Sequence, residues 1–310
     1  MLILLTGGTG QVGRALLPRL LAAGHEVRCL VRPSRRSPHL PAGVPVQLAL
    51  GRVDDERAVR GALAGVEAVI HLASAEWRGQ RGDLVGTDVE GTRLLAASAA
   101  AAGVKRLMYV SHLGADRASG YPVLKAKGIA EEFIRQSGVP HLILRSGLVF
   151  GPEDRFTNVI ALLVKLAPGA LLLPSEGRTT LQPIAIQDLV TCLEWGLLNP
   201  ELTGQTISIG GPDMYTVREL FELVMDGLGR RRALWSISPI VLRGTAWFME
   251  QILPRAPITA HWLDHLAISG VTELTSVTQA FGFKPTPLNR GLEYLKTQSA
   301  WREWRRLSSA

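Results

Sequence analysis

The sequence predicts an α/β protein with a doubly wound parallel Rossmann sheet and a smaller C-terminal substrate lobe. First, short apolar runs alternate six times with longer helical patterns through the first half of the 310 residues, as a sheet built from βαβ units requires. Second, a glycine follows each helical stretch, where a left-handed residue ends a helix at little cost. Third, a glycine-rich turn follows the first apolar run. These observations together favour the doubly wound class.

Each element is predicted from its local pattern. The strands are expected at 2–5, 26–31, 46–48, 68–71, 106–111 and 141–144. The helices are expected at 11–23, 55–64, 84–102 and 123–137, followed by Gly24, Gly65, Gly103 and Gly138. The first strand is apolar and lacks a basic leader, so a buried strand is favoured over a signal peptide.

The alternation loosens after residue 150. Six of the seven tryptophans lie at or after Trp195, and proline becomes frequent. Residues 1–150 are expected to form the Rossmann domain, with its sheet completed within 181–210 by strands at 181–186 and 205–209. A smaller lobe is expected from 151–180 and 211–296, with a capping box where Thr216 precedes Glu219. A basic aromatic tail, 297–310, follows.

The net charge of +7 comes from three local patches. Four Arg lie within 28–36, three within 230–232 and three within 302–306. A chain-wide preference for a polyanion is therefore disfavoured, and nucleic-acid binding lacks a recognisable module. The two cysteines lie far apart, with no thiol or His at ligand spacing, so no metal site is predicted and a cytoplasmic, reducing location is the default.

The glycine turn predicts a dinucleotide site. It follows a strand and opens a helix, which is the context that the fingerprint requires. Glycines there allow close backbone approach to a pyrophosphate, and the helix N-terminus offers N–H groups and a positive dipole end. A tight turn with a purely structural role is the alternative. The predicted contacts are Gly7, Thr9, Gly10, Gln11, Val12 and Gly13.

The residues after the second strand favour NADP(H), with NAD(H) as the other candidate. An NAD site would carry an acidic residue here to hold the ribose hydroxyls. Arg32, Ser34 and Arg35 are present instead, and a guanidinium can pair with a 2′-phosphate and stack on adenine. A solvated basic loop is the alternative.

Further motifs resemble the short-chain dehydrogenase/reductase superfamily in its extended and atypical branches, including the epimerase/dehydratase type. The matching segments are the glycine turn, 69–73, 109–111 and 144–154. Residues 182–188, 210–219 and 281–288 are similar to a narrower group, the bacterial relatives of the nucleotide-binding accessory subunit of respiratory complex I.

This resemblance implies further cofactor contacts. Leu72, Ala73, Ser74 and Val149 are expected to line the nucleotide. Where the family usually carries an Asp for adenine, this chain has Arg52, so adenine recognition is expected to use the Val53 backbone and stacking.

A catalytic centre is predicted at Tyr121 and Lys125, whose spacing is that of the superfamily's acid/base pair, with Ser111 as the hydroxyl partner. An ammonium beside a phenol lowers the phenol pKa and permits proton exchange with a carbonyl. Lys125 would also contact the cofactor. In the alternative alignment Lys127 is the family lysine, which places Val123 at the tyrosine position.

Two functions stay open at this point. The first is an NADP-dependent oxidoreductase acting on a carbonyl or alcohol of a small-molecule substrate. Residues 164–174 and 239–253, with Trp247, Phe248 and Met249, would suit an apolar or isoprenoid-like ligand or form the core of the lobe. The second is a nucleotide-bound structural or assembly factor, or redox sensor, of a membrane redox complex. Aromatics and arginines at 301–307 favour peripheral contact with a membrane's inner face or with a partner.

Overall fold

The computed structural model describes residues 1–34, 38–253, 256 and 258–296. The predicted contact at Arg35 and the tail 297–310 lie outside the described residues. The chain divides into two compact units. The first comprises Met1–Ala75, Asp83–Ser146 and Ile186–Ser208, and the second comprises Glu76–Gly82, Gly147–Ala185 and the chain from Ile209 onward.

The strands and helices are labelled in chain order. The strands are Leu2–Thr6 (β1), Glu26–Val31 (β2), Gln47–Leu50 (β3), Ala68–His71 (β4), Arg106–His112 (β5), His141–Ser146 (β6), Val149–Phe150 (β7), Ala170–Pro174 (β8), Thr180–Leu181 (β9), Ile184–Ala185 (β10), Gln205–Ile209 (β11), Tyr215–Thr216 (β12) and Ala233–Ile237 (β13). The helices are Gln11–Ala22 (α1), Glu56–Ala62 (α2), Gly91–Ala101 (α3), Pro122–Gln136 (α4), Thr157–Leu166 (α5), Ile186–Leu198 (α6), Val217–Leu228 (α7), Pro239–Ile252 (α8), Ala260–Ala267 (α9) and Ser276–Phe281 (α10).

The first unit is built on a seven-stranded sheet with the order β11-β6-β5-β4-β1-β2-β3. Strands β1 to β6 pair in parallel with their neighbours. Ile3, Leu4 and Leu5 of β1 are fully buried, because a parallel sheet is covered on both faces and its central strands are continuously apolar. The order confirms the predicted doubly wound class, in which ligands bind beyond the carboxyl ends of the strands.

The predicted helix ends are confirmed by backbone conformation. Gly24, Gly65, Gly103 and Gly138 all have positive φ, between 68° and 79°. The predicted helix at 84–102 differs at its start: residues Val85–Glu90 form a π-helical turn, and regular α-helix begins at Gly91. Such turns often occur at functional sites, and this one carries a buried carboxylate, Asp88.

The second unit contains three two-stranded sheets, which pair β7 with β10, β9 with β12 and β8 with β13. The single strand expected at 181–186 is wrong. Pro183 separates β9 from β10 and has no N–H to donate to a continuous ladder. Gln182 is buried beside it, and its side chain donates to the Gly211 carbonyl and accepts from the Thr272 amide, both at 2.7 Å. The strand predicted at 205–209 is confirmed as β11, at the edge of the main sheet.

Helices α5 and α7 pack against each other in the second unit, and their ends are fixed by polar contacts. The capping box at Thr216 and Glu219 is present as predicted. Asp154, fully buried, accepts hydrogen bonds from the amides of Phe156 and Thr157 at the start of α5, and from the hydroxyl of Tyr294 at 2.9 Å. Burial raises the pKa of Asp154 although these donors oppose the rise.

Helix α8 departs from the sequence-based expectation. Trp247, Phe248 and Met249, considered as lobe core or ligand lining, are exposed. Only Ala246 and Glu250 of this helix are buried. The core interpretation of these three residues is therefore wrong. Within the described residues no helix combines the length and the apolar composition needed to cross a membrane.

Candidate functional site

The glycine turn lies between β1 and α1 in the first unit. Gly7 has φ +73°, and its carbonyl accepts a 2.9 Å hydrogen bond from the Gly10 N–H. A Cβ at Gly7 would lie 2.6 Å from the Leu72 carbonyl carbon. At Gly13 it would lie 2.4 Å from the Gly7 carbonyl oxygen. Both positions therefore require glycine, as close backbone packing beside a bound nucleotide demands.

The start of α1 is open to an anion. Gly10 is its N-cap, no side chain caps the first turn, and that turn contains no acidic residue. Unsatisfied N–H groups and the positive dipole end therefore face the turn. The Nε2 atom of Gln11 is enclosed and makes no hydrogen bond within the part of the chain that the structure describes. An enclosed amide donor beside an uncapped helix fits a phosphate-bearing ligand.

Loops at the carboxyl ends of neighbouring strands border this turn. The Leu72 amide donates to the Thr6 carbonyl at 3.2 Å, and the Ala73 amide donates to the Thr6 hydroxyl at 3.3 Å. Ser74 is partly exposed. Val53 is buried in the loop after β3. A Cβ on Gly91 would lie 2.5 Å from the Cγ1 atom of Val53. The carboxyl-end edge of the sheet, where the parallel strands end, thus brings together the glycine turn and the segments that follow β4 and β3.

Two arginines lie at the carboxyl-end edge just after β2 and β3. Arg32 and Ser34 follow β2 and are exposed. The pKa of Arg32 is lowered, first by desolvation and then by repulsion from the Arg52 guanidinium. Arg52 also forms a bidentate ion pair with Asp54, at 2.8 and 2.5 Å. Asp54, together with Asp83 at 3.6 Å, offsets the charge of Arg52, so a bound anion would meet chiefly the Arg32 guanidinium.

A directed chain of hydrogen bonds runs beneath the edge. The Thr6 hydroxyl is 2.6 Å from His71 Nδ1, and His71 Nε2 is 2.8 Å from the Thr92 hydroxyl, which donates to the Asp88 carbonyl at 2.7 Å. Because Thr92 donates onward, it accepts from Nε2–H, and Nδ1 accepts from Thr6. Burial, followed by the charge of Lys127, lowers the pKa of His71 to about 3. His71 is therefore a neutral structural link.

A buried ion pair lies next to this chain. Lys127 Nζ is 3.4 Å from Asp88 Oδ1 and 5.3 Å from the ring centroid of Tyr109. The other Asp88 oxygen accepts from the Ala75 amide at 2.8 Å. Burial raises the pKa of the Tyr109 phenol, and Lys127 opposes that rise. The ammonium is thus held inside the unit by a carboxylate and an aromatic face.

The three residues predicted to be catalytic have different surroundings. Tyr121 is the N-cap of α4 and is partly exposed, and Lys125 is exposed one turn later. Neither side chain has a hydrogen-bonding partner among the described residues. Ser111 is fully buried and donates to Glu131 Oε1 at 2.7 Å. No hydrogen bond joins any two of these three side chains within that part of the chain.

The buried face of α4 carries a different set. Val123 and Lys127 lie four residues apart and are both buried, so their side chains share one face. This spacing is that of the alternative alignment, in which Val123 occupies the tyrosine position. Asp88, the partner of Lys127, was missed from the sequence because it lies within an ordinary helical stretch with no motif around it.

Glu131 is a second buried group on α4. Its carboxylate accepts from Ser111, from Arg145 Nε and Nη2 at 2.8 and 2.6 Å, and from Arg135 at 2.6 Å. Burial alone would raise its pKa, but the hydrogen bonds from Arg145, Ser111 and Arg135 outweigh burial and leave the pKa lowered. This cluster joins α4 to β5 and β6. Within it the Ser111 hydroxyl is already hydrogen-bonded to Glu131.

Val149 belongs to the second unit. It lies in β7, half-buried, and pairs in parallel with Ile184 of β10. Its predicted role at the cofactor stays a prediction. The expectation that the chain holds no metal, which comes from the sequence alone, also stays a prediction.

The fold and this edge define a nucleotide-binding protein with an epimerase/dehydratase-like Rossmann architecture. A family model described as NAD(P)H-binding matches residues 7–161, and the chain belongs to that family.

Particular relatives are similar along most of the chain. NADH dehydrogenase [ubiquinone] 1 alpha subcomplex subunit 9, mitochondrial, of Mus musculus is 28% identical over 310 residues, covering 96% of this chain and 80% of that protein. Photosystem II assembly factor Ycf39 of Trieres chinensis is 26% identical over 72% of this chain and 68% of its own length. The solved structure of the Thermus thermophilus UDP-glucose 4-epimerase in complex with NAD has a TM-score of 0.72 at 20% identity, covering 96% of this chain and all of that one.

Proposed function

We propose that this NAD(P)H-binding protein is a structural or assembly factor for a membrane redox complex. It holds NADPH and does not turn the nucleotide over. The observation that carries the proposal is the buried face of α4. Lys127 lies there at the family spacing from Val123, and its ammonium is paired with Asp88.

The chemistry of reduction explains why this face matters. Bound NADPH would supply a hydride, and a carbonyl that accepts it also needs a proton. Val123 has no proton to give. Lys127 is already committed to a buried carboxylate 3.4 Å away, which holds its charge in place. The face that would carry the acid/base pair therefore serves packing and nucleotide support.

The relatives support a role in an assembly. One is a subunit of NADH dehydrogenase, and another is a photosystem II assembly factor. We extend that kind of role to this chain, with peripheral attachment to a membrane complex as the setting. Contact through 301–307 remains part of the proposal, although those residues lie outside the described part of the chain.

The glycine turn, Gln11 and the loops at Leu72 and Val53 would hold the nucleotide. Arg32, directly after β2, would hold the 2′-phosphate, so NADPH is preferred over NADH.

Arg32→Ala tests the cofactor preference. We expect it to weaken NADPH binding about tenfold, because one charge-assisted contact with phosphate is lost, and to leave NADH binding unchanged. Fluorescence titration of both nucleotides measures the two affinities. Arg57→Ala is the matched control, since Arg57 is exposed on the neighbouring helix α2. Equal affinity of the unaltered protein for the two nucleotides contradicts the NADP assignment.

A second candidate is an NADP-dependent oxidoreductase that uses Tyr121 with Lys125 on an apolar or isoprenoid-like carbonyl. The observation in its favour is the position of Tyr121 at the N-cap of α4, partly exposed and one turn before the exposed Lys125.

Tyr121→Phe separates the two candidates. Under the structural-factor proposal, wild type and variant bind NADPH equally and neither oxidises it above background with a panel of aldehydes, ketones and quinones. NADPH absorbance measures the turnover. Steady oxidation by wild type that Tyr121→Phe abolishes, with nucleotide binding retained, would establish the oxidoreductase instead.

A further inference from the structure

The loop that follows β4 is held at two of its backbone amides. The Ala73 amide donates to the Thr6 hydroxyl at 3.3 Å, and the Ala75 amide donates to Asp88 Oδ2 at 2.8 Å. Ser74 lies between these two points, in the stretch that would hold the nucleotide. Since both acceptors are buried side chains, the two hydrogen bonds fix the position of the loop.

Both contacts lead to Asp88. The Thr6 hydroxyl is connected to it through His71 and Thr92, and the Thr92 hydroxyl donates to the Asp88 backbone carbonyl at 2.7 Å. The carboxylate of Asp88 holds the second amide directly. Asp88 is 1% exposed and lies inside the π-helical turn that precedes α3. One buried residue thus fixes the loop after β4 at both points.

The imidazole of His71 is fixed in orientation and in tautomer. The ring is fully buried and stacks on the Tyr109 ring, with the two centroids 5.4 Å apart. Thr92 donates its own proton to Asp88 and therefore accepts from Nε2–H of His71. Nδ1 is then left to accept from the Thr6 hydroxyl. Because each group has one role, loss of the Thr92 hydroxyl would also move the proton on His71.

The same segment supports the loop after β3. Gly91 follows the π-helical turn directly, and a Cβ on Gly91 would lie 2.5 Å from the Val53 Cγ1 atom. Glycine therefore permits a close approach that a larger residue would prevent. The loops after β3 and β4 both lie at the carboxyl-end edge of the sheet, and both contact residues within 88–92.

We propose that Asp88 and Thr92 are positioning residues for the nucleotide, which act through the loop after β4 and do not touch the ligand. Thr92 sets the tautomer of His71. That tautomer directs the Thr6 hydroxyl, which holds the Ala73 amide, while Asp88 anchors the other end of the loop. Residues away from a ligand change its affinity when they fix the groups that bind it.

The proposal rests on nucleotide binding at this edge, which is part of the proposed function. It does not depend on whether the nucleotide is turned over. Wild-type affinity tests the nucleotide site, and the variants below test the positioning residues, so the two are distinguished.

Thr92→Val tests the chain of hydrogen bonds, because valine has the shape of threonine but lacks the hydroxyl. We expect it to weaken NADPH and NADH binding equally, each about fivefold, since the loop is disturbed and the 2′-phosphate contact is not. Thr92→Ser keeps the hydroxyl and should bind both nucleotides as wild type does. Fluorescence titration measures the affinities. Asp88→Asn is less suitable, because it removes a carboxylate that neutralises the buried Lys127 and should unfold the protein.

The tautomer of His71 separates positioning from a loss of packing. Nitrogen NMR should show the Nε2–H form of the ring in wild type and in Thr92→Ser. In Thr92→Val it should show the Nδ1–H form, because the acceptor at Nε2 has been removed while Thr6 is still present to accept. The signals of His71 are identified by their absence from the spectrum of His71→Gln.

Ser98→Ala is the matched control. Ser98 is also buried on α3 but lies further along the helix, so its loss should leave both affinities and the His71 tautomer unchanged. Circular dichroism shows that each variant is folded. Wild-type affinity in Thr92→Val, an unchanged tautomer in that variant, or an equal loss in Thr92→Ser or Ser98→Ala would overturn the proposal. Wild type that binds neither nucleotide would overturn the nucleotide site itself and this proposal with it.

Discussion

We expect Glu131→Gln to lower the free energy of unfolding by about 3 kcal/mol, since removing one partner of a buried ion cluster leaves the others without compensation. The Glu131 carboxylate is fully buried and accepts from Ser111, Arg135 and Arg145. Glutamine has the same shape, but it cannot neutralise two guanidiniums. Urea unfolding at neutral pH measures the loss.

The effect should depend on pH. Because the folded-state pKa of Glu131 is lowered, the carboxylate adds stability above its unfolded pKa of about 4.3. That contribution is lost as the pH falls through the folded pKa. The difference in the free energy of unfolding between wild type and Glu131→Gln should therefore have its full size at pH 7 and should become smaller below about pH 4.

Glu132→Gln is the control for this prediction. Glu132 is the next residue on α4, is partly exposed and contacts Gln136 and Arg135. Exposed ion pairs contribute about 0–1 kcal/mol, so its loss should be small. Equal effects of the two substitutions would show that Glu131 contributes only as an ordinary surface charge.

Gly13→Ala should weaken NADPH binding about a hundredfold. The added Cβ would lie 2.4 Å from the Gly7 carbonyl oxygen and 2.6 Å from Gly8 Cα. Both are backbone atoms of the glycine turn, so the turn itself must move and its amides lose their alignment with the phosphates. Overpacking of this kind also costs about 1–3 kcal/mol of stability.

The control is another helical glycine. A Cβ at Gly61, within α2, would meet no atom within 4 Å. Gly61→Ala should leave NADPH binding unchanged and raise stability by about 0.5–1 kcal/mol, because glycine is unfavourable inside a helix. Isothermal titration calorimetry gives the affinities. Unchanged NADPH affinity of Gly13→Ala would refute the placement of the phosphates at this turn.

Local patterns predicted the first unit closely. The strands at 26–31 and 68–71 match β2 and β4 without change, because apolar runs bounded by turn residues leave few alternatives in a parallel sheet. The glycine turn was also predictable, since strand, turn and helix follow directly along the chain. These elements depend on neighbours in sequence.

The sequence was less informative where contacts join distant residues. Asp88 pairs with Lys127 and Ser111 with Glu131. The sequence predicted the acid/base pair at Tyr121 and Lys125, with Val123 and Lys127 as the alternative. Which face of α4 is buried is decided by packing. The exposed face of α8 was missed for a related reason: apolar periodicity predicts a helix but cannot tell which side is covered.

We propose that NADPH is held without being consumed. The direct measurement incubates the protein with NADPH deuterated at the transferable position and a small-molecule extract of the cells that produce it, and then follows deuterium by mass spectrometry. We expect tight binding with deuterium retained in the nucleotide. Deuterium appearing in an alcohol product, and failing to appear with Tyr121→Phe, would contradict it.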